Sequence, residues 1–161
     1  VVGRPGVSMP PYSQPKLAKL IVKSLNEEDD MQYFWTVLNA MEISQLVDLT
    51  FDTPDPGKRA GAYDARKELR NKWHRRSKET ENSFDNLVAR FDEDELGTLV
   101  LDSFEIRDED KDRKTGRIFG EDFIIHMHSD YYSYTLDFAY IVETEGGWKV
   151  AGEVTLTKLE E

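Results

Sequence analysis

Residues 132–143 read YSYTLDFAYIVE, and apolar or aromatic side chains occupy every second position. Successive side chains of a β-strand point to opposite faces, so a period of two is typical of a strand with one face against a core. The apolar face of this strand consists of Tyr132, Tyr134, Leu136, Phe138, Tyr140 and Val142. We therefore predict a strand of an antiparallel sheet that is covered on one side.

Three other segments after residue 96 show the same period. The first predicted strand places Asp102 on one face with Val100, Phe104 and Ile106. The second places Glu121 on one face with Phe119, Phe123, Ile125 and Met127. The last has an apolar face of Trp148, Val150, Val154 and Leu156. We predict four strands, each with one apolar face.

The strand register follows from pairing apolar residues across each hairpin. A two-residue turn at Ser129-Asp130 opposes Met127 to Tyr132. A three-residue loop, Glu145-Gly146-Gly147, opposes Val142 to Val150 and Leu136 to Leu156. Such a loop requires Gly146 or Gly147 to be left-handed.

Helical spacing precedes the strands. One apolar stripe consists of Leu17, Leu20, Ile21 and Leu25, and a second of Met31, Phe34, Trp35, Leu38 and Met41. Residues 60–91 indicate one long helix, or two with a break between Ser77 and Ser83. We predict an α+β fold in which N-terminal helices pack on one face of a curved antiparallel meander of at least four strands.

Length and composition indicate how the chain is organised. The chain has 161 residues, which fits one domain, and residues 1–15 hold four prolines and two glycines, which indicates an extended tail or linker. We expect a single domain over residues 16–161. Because the sequence begins with Val1 rather than Met, it does not indicate a compartment or what precedes it.

The composition also excludes several classes of function. There is no cysteine, which excludes disulfides and thiol catalysis, and no apolar run reaches the roughly 20 residues of a membrane-spanning helix. The net charge of −11 argues against general nucleic-acid binding, which needs a surplus of cations. We expect a soluble globular domain with no membrane span and no nucleic-acid partner.

Two segments resemble the nuclear transport factor 2-like, or cystatin-like, superfamily. One is the helix FWTVLNAM, residues 34–41, followed by residues 43–51. The other is the closing hairpin of Tyr140-Ile141-Val142 with Gly146-Gly147-Trp148-Lys149-Val150. The resemblance implies a curved sheet wrapped around a long helix, and some members of this superfamily move protons with interior carboxylates.

Two patterns are similar to metal sites. His126 and His128 fall on one strand face with Asp130 just beyond, a spacing that can chelate a transition metal. The series Asp108, Asp110, Asp112 imitates the start of a calcium loop, but its sixth position is Arg113 and its twelfth is Phe119. We interpret the first as surface histidines and the second as an acidic loop, and expect no metal and no cofactor.

A basic segment interrupts the acidic chain. Residues 58–78 contain nine Lys or Arg and two acids, so the remainder of the chain carries −18. The candidate anion-binding residues are Arg66, Arg70, Arg75 and Arg76. Either these arginines pair internally with the acidic clusters at residues 27–30, 92–95 and 102–112, or they bind an anionic partner. We favour internal pairing because acids outnumber bases by eleven.

Asp102 and Glu121 are the residues that point to chemistry. A carboxylate on an apolar strand face has a raised pKa unless it is paired. We favour exposure at a pocket rim, or a salt bridge to Arg66, Arg70 or Arg117, over a functional acid inside a pocket. One hypothesis is a non-catalytic domain that binds an unknown protein or small molecule, with a homodimer as one way to cover the sheet. The alternative is an isomerase or lyase that uses either acid as general base in a pocket lined by Tyr134, Tyr140 and Trp73.

Overall fold

The computed structural model describes residues 13–50, 63–111 and 118–159. Within these ranges the helices are α1 (Gln14–Asn26), α2 (Asp30–Trp35), α3 (Ala40–Thr50), α4 (Tyr63–Asn82) and α5 (Phe84–Ala89). The strands are β1 (Val100–Lys111), β2 (Ile118–His128), β3 (Ser133–Thr144) and β4 (Gly147–Leu159). In the described residues, no helix is long and apolar enough to cross a membrane.

The four strands form one antiparallel sheet in the order β1-β2-β3-β4. This confirms the predicted α+β class with a meander. The main core joins α1, α2 and α5 to the sheet through buried side chains: Leu17, Ile21, Leu25, Tyr33, Phe84, Leu87, Phe123, Ile125, Met127, Leu136 and Phe138. A smaller cluster of Leu38, Ile43, Val47 and Ala151 lies beside α4.

Helix α1 begins where local chemistry favours it. Ser13 caps its N-terminus by accepting a hydrogen bond from Lys16 N, and Pro15 lies in the first turn, where its missing N–H costs nothing. Residues 1–12 of the predicted tail lie outside the described residues. Helix α1 itself starts at Gln14, two residues before the domain boundary that we expected.

The β2–β3 hairpin differs from the prediction. Met127 pairs with Tyr134 rather than Tyr132, so the loop contains four residues instead of two. A register shift of two residues returns each side chain to the same face of the sheet. Pairing apolar residues therefore does not distinguish the predicted register from the observed one. The loop is held by Ser129, whose hydroxyl accepts hydrogen bonds from the backbone N–H groups of Tyr131 and Tyr132.

The predicted three-residue loop between β3 and β4 is also wrong. Thr144 pairs with Gly147, which leaves the two-residue loop Glu145-Gly146 and opposes Val142 to Lys149. Gly147 has a φ of 105°, as predicted for one of the two glycines. A bulge next to Gly152, whose φ is 91°, restores the predicted pairing of Leu136 with Leu156.

Helix α2 is shorter than its apolar stripe suggested. It ends at Trp35, and the chain then pairs with β4 through hydrogen bonds from Leu38 N to Val150 O and from Val150 N to Thr36 O. The predicted continuous helix through Met41 is therefore wrong. Residues 36–38 instead cover part of the β4 edge through a parallel bridge of Val37 to Val150.

Of the two alternatives for the second helical region, the structure has two helices, with the break at Ser83 between α4 and α5. The Thr80 hydroxyl donates to Gly152 O at 2.7 Å and the Ser77 hydroxyl donates to Leu38 O, so α4 lies across β4. The first part of the region, residues 51–62 with the turn cluster at residues 53–57, lies outside the described residues.

Candidate functional site

Asp102 does not lie on the apolar face of β1. Leu101 pairs with Met127 and Phe104 with Ile125, with one extra residue on β1 between them, so a bulge changes the phase of the side chains. The Asp102 carboxylate is half exposed, and its Oδ1 lies 2.7 Å from Nδ1 of His128. The prediction that Asp102 faces the core is wrong because of this bulge.

Glu121 is exposed, so its carboxylate faces solvent. Across the strands it pairs with Asp108 on one side and Tyr140 on the other. Tyr140 in turn packs edge-on against Trp73, with ring centroids 5.8 Å apart. The structure thus brings Tyr140 and Trp73 together and leaves Glu121 at the surface beside them.

Tyr134 occupies a different place. Its hydroxyl donates to the buried carboxylate of Glu95, with oxygens 2.7 and 3.0 Å away, and burial together with this carboxylate raises the pKa of Tyr134. Tyr134 and Tyr140 are six residues apart on one strand, or about 20 Å. The five candidate pocket residues are therefore not gathered around one cavity.

Two buried carboxylates were missed by the sequence analysis. Glu95 Oε2 accepts from Asp92 N, and Glu42 Oε1 accepts from Asn39 N, each at 3.0 Å. The Asn39 side-chain oxygen in turn accepts a hydrogen bond from Glu42 N. The pattern of a capping residue followed three positions later by Glu is a helix-start signal that could have located both acids.

The outer face of the sheet carries pairs of polar side chains on neighbouring strands. His126 Nε2 lies 3.5 Å from Glu105 Oε1, and Arg107 Nη1 lies 3.4 Å from Asp122 Oδ2. Next to Asp122, burial and the negative Asp122 carboxylate raise the pKa of Asp137 to about 6. The described residues include no group of three His, Asp or Glu side chains suited to holding a metal ion.

The four candidate anion-binding arginines are divided between two sides of α4. Arg66 pairs with Asp48 of α3, and the Arg76 guanidinium stacks 3.9 Å from the centroid of the Tyr140 ring. Arg70 is partly buried, whereas Arg75 is exposed. No ion pair joins any of the four to a described residue of the three acidic clusters, so the prediction of pairing with those clusters is wrong.

The outward side of α2 is the largest departure from the expected pattern. Met31, Phe34 and Trp35 retain 56%, 37% and 46% of their surface in contact with solvent. Residues at i, i+3 and i+4 share a helix face, so these side chains form one exposed surface, here called the α2 patch. The sequence predicted that this stripe packs on the sheet. Tyr33 does so instead, and it is fully buried.

Local contacts hold α2 firmly without using the α2 patch. Asp29 Oδ1 accepts from Met31 N at 3.0 Å, and a hydrogen bond from the Gln32 side chain contributes most to the lowered pKa of Asp29. On the buried side, the Tyr33 hydroxyl lies 2.9 Å from Ser83 Oγ and its ring packs on Phe84. The α2 patch therefore lies on a helix whose opposite side is anchored to the core through Tyr33.

No family model matches the chain, and no curated protein matches it. Among solved structures, the chain is similar to a cystatin-like protein from Ruminococcus gnavus ATCC 29149, with 16% sequence identity and a TM-score of 0.43. The match covers 92% of this chain and 45% of that chain, so the chain spans less than half the length of that structure.

Proposed function

We propose that this chain is a non-catalytic binding domain that docks a partner protein on the α2 patch. The observation that carries the proposal is the outward orientation of Met31, Phe34 and Trp35. Adjacent large apolar side chains that a fold leaves uncovered are typical of protein interaction sites. Tryptophan in particular is enriched among the residues that dominate binding energy.

The order of helices followed by a four-strand meander supports a fold of the nuclear transport factor 2-like, or cystatin-like, type. In this domain the binding surface that we propose lies on the outside of a helix rather than between sheet and helices. The side chains between α1, α2 and the sheet, such as Tyr33, Phe123 and Phe138, are fully buried and pack against one another.

Charge next to the α2 patch indicates the chemistry of the partner. Glu27, Glu28 and Asp30 are exposed immediately before or at the start of α2. An apolar surface with an acidic border is complementary to an amphipathic segment whose flanking residues are Lys or Arg. The same acids disfavour an anionic lipid surface and a symmetric contact between two α2 patches.

Peptide binding tests the proposal. The probe is a labelled synthetic helix with Leu at i, i+3, i+4 and i+7 and Lys elsewhere, followed by fluorescence anisotropy. We expect saturable binding, and a loss of at least about tenfold in affinity, or 1.4 kcal/mol, when Met31→Ser and Trp35→Ser are combined. A second peptide has the same pattern with Glu in place of Lys. The unmodified chain should bind this Glu peptide no more tightly than the double variant binds the Lys peptide.

The matched control is Val100→Thr, which removes apolar surface from an exposed position on β1. It should bind the Lys peptide as the unmodified chain does. Circular dichroism establishes that each variant is folded. Equal affinity in the double variant and the control contradicts the proposal, as does binding of the Glu peptide as tightly as the Lys peptide.

A further inference from the structure

Helix α4 has two sides of different character. Leu69, Trp73, Ser77 and Thr80 follow the helical period and are buried or partly buried against β4 and its neighbours. The opposite side is exposed, and its basic residues, which we call the α4 ridge, are Lys67, Lys72, His74, Arg75 and Lys78. Asp64, Glu68 and Glu79 are exposed on the same side. From Lys67 to Lys78 the α4 ridge extends about 16 Å, at 1.5 Å per residue.

The basic side chains of the α4 ridge form no ion pair with any residue in the described ranges. This distinguishes them from Arg66, which pairs with Asp48, and from Arg76, which stacks on Trp73 and Tyr140. Arg75 and Lys78 are three positions apart on one helix, and such like-charged neighbours destabilise an isolated helix. The helix holds this unfavourable arrangement although the chain carries 32 acids that could relieve it.

We infer that the α4 ridge binds an acidic segment of a second protein. His74, Arg75, Lys78 and Asn82 lie close together on the exposed side of α4, so a carboxylate placed there meets donors from several side chains. Glu79 lies among them. An arginine fork and an asparagine amide suit the planar carboxylates of Asp and Glu, and the spacing of these residues along a peptide can avoid Glu79.

The observations favour a protein over a nucleic acid. Binding of single strands relies on aromatic rings that stack on bases. The aromatic ring within the basic stretch of α4, that of Trp73, is partly buried and already contacts Tyr140 and Arg76.

Binding of a labelled oligoglutamate peptide to the full chain tests the inference. We expect binding that weakens steeply between low and moderate salt, and a loss of at least fivefold when Arg75→Gln and Lys78→Gln are combined. The control combines Lys16→Gln and Lys19→Gln, which remove the same charge from exposed positions of α1. The control should lose less than twofold.

Two results overturn the inference. Equal losses in the two double variants would mean that the peptide responds to net charge alone. Tighter binding of a thymidine oligonucleotide than of oligoglutamate, abolished by the same α4 substitutions, would assign the α4 ridge to nucleic acid. The α2 variants used above should leave oligoglutamate binding unchanged, so the two surfaces are tested separately.

Discussion

At the scale of single residues, the ionisation of the Asp137 carboxyl is the change that we expect to affect the free energy of unfolding most directly. Its Oδ1 is buried without a hydrogen-bond partner among the described residues, and Asp122 faces it from the neighbouring strand. Burial and this second carboxylate together favour the protonated form of Asp137. Arg107 pairs with Asp122 and offsets only part of the effect.

The pH dependence of stability follows from the pKa of Asp137, which is raised from 3.8 to about 6. Between these values the folded state binds more protons than the unfolded chain, so ionisation of Asp137 lowers the free energy of unfolding as the pH rises. We predict that Asp137→Asn is more stable than the unmodified chain at pH 7. The difference should shrink as the pH falls through 6 and be absent near pH 4.

Denaturant unfolding at a series of pH values measures this difference. Glu121→Gln is the matched control, because it removes an exposed carboxylate next to Asp122. A stability difference for Asp137→Asn that is constant from pH 4 to pH 7 would show that Asp137 ionises in the folded state as it does in the unfolded chain.

At the scale of elements, a buried ion pair fastens α3 to β4. Lys149 Nζ lies 3.2 Å from Glu42 Oε2, and both side chains are at least nine-tenths buried. Thr144 Oγ1 lies 2.7 Å from the same carboxylate oxygen. Removing one member of such a pair leaves the other charge buried, which costs about 3–5 kcal/mol.

We therefore predict that Lys149→Met lowers the free energy of unfolding by about 3–5 kcal/mol. Adding Glu42→Gln to it should recover part of the loss, because the remaining buried group is then neutral. Lys158→Met is the control on the same strand, where an exposed lysine lies over the Tyr132 ring. We expect it to cost no more than about 1 kcal/mol. Similar losses at positions 149 and 158 would argue against a stabilising role of the buried pair.

Strand positions could be predicted from sequence because a period of two persists over about ten residues in each strand. The β-bulges could not be predicted from sequence. One extra residue at Asp102 or Gly152 leaves the strand-like composition unchanged and alters only which side chains point to which face of the sheet. Glu121 shows a second limit of the strand pattern, which predicts the face of a side chain but not its burial. Glu121 was predicted on the same face as Phe123, and Phe123 is buried whereas Glu121 is exposed.

The α2 patch could not be predicted from spacing for a different reason. A stripe at i, i+3 and i+4 identifies a helix face but does not say what covers it. In α2 the side chain that anchors the helix is Tyr33, which lies outside the stripe, and the hydrogen bond of its hydroxyl to Ser83 depends on the break between α4 and α5. Long-range contacts of this kind decide which side of a short helix is buried.

At the scale of the whole molecule, some charges of the described residues pair internally and others stay exposed. The net charge is −11, yet Arg75 and Lys78 of the α4 ridge are exposed and the acids before α2 border an apolar surface. Two surfaces of opposite character fit a domain that binds other proteins. Internal neutralisation, which the excess of acids favoured, accounts for Arg66 but not for Arg75.

The indole N–H resonances of the three tryptophans test the proposed binding at the α2 patch most directly. Trp35 lies on the α2 patch, whereas Trp73 and Trp148 are partly buried in α4 and β4. On titration with the Lys-rich amphipathic peptide, the Trp35 resonance should shift in proportion to peptide bound while the other two stay in place. Peptide binding with no movement of the Trp35 resonance would contradict the account.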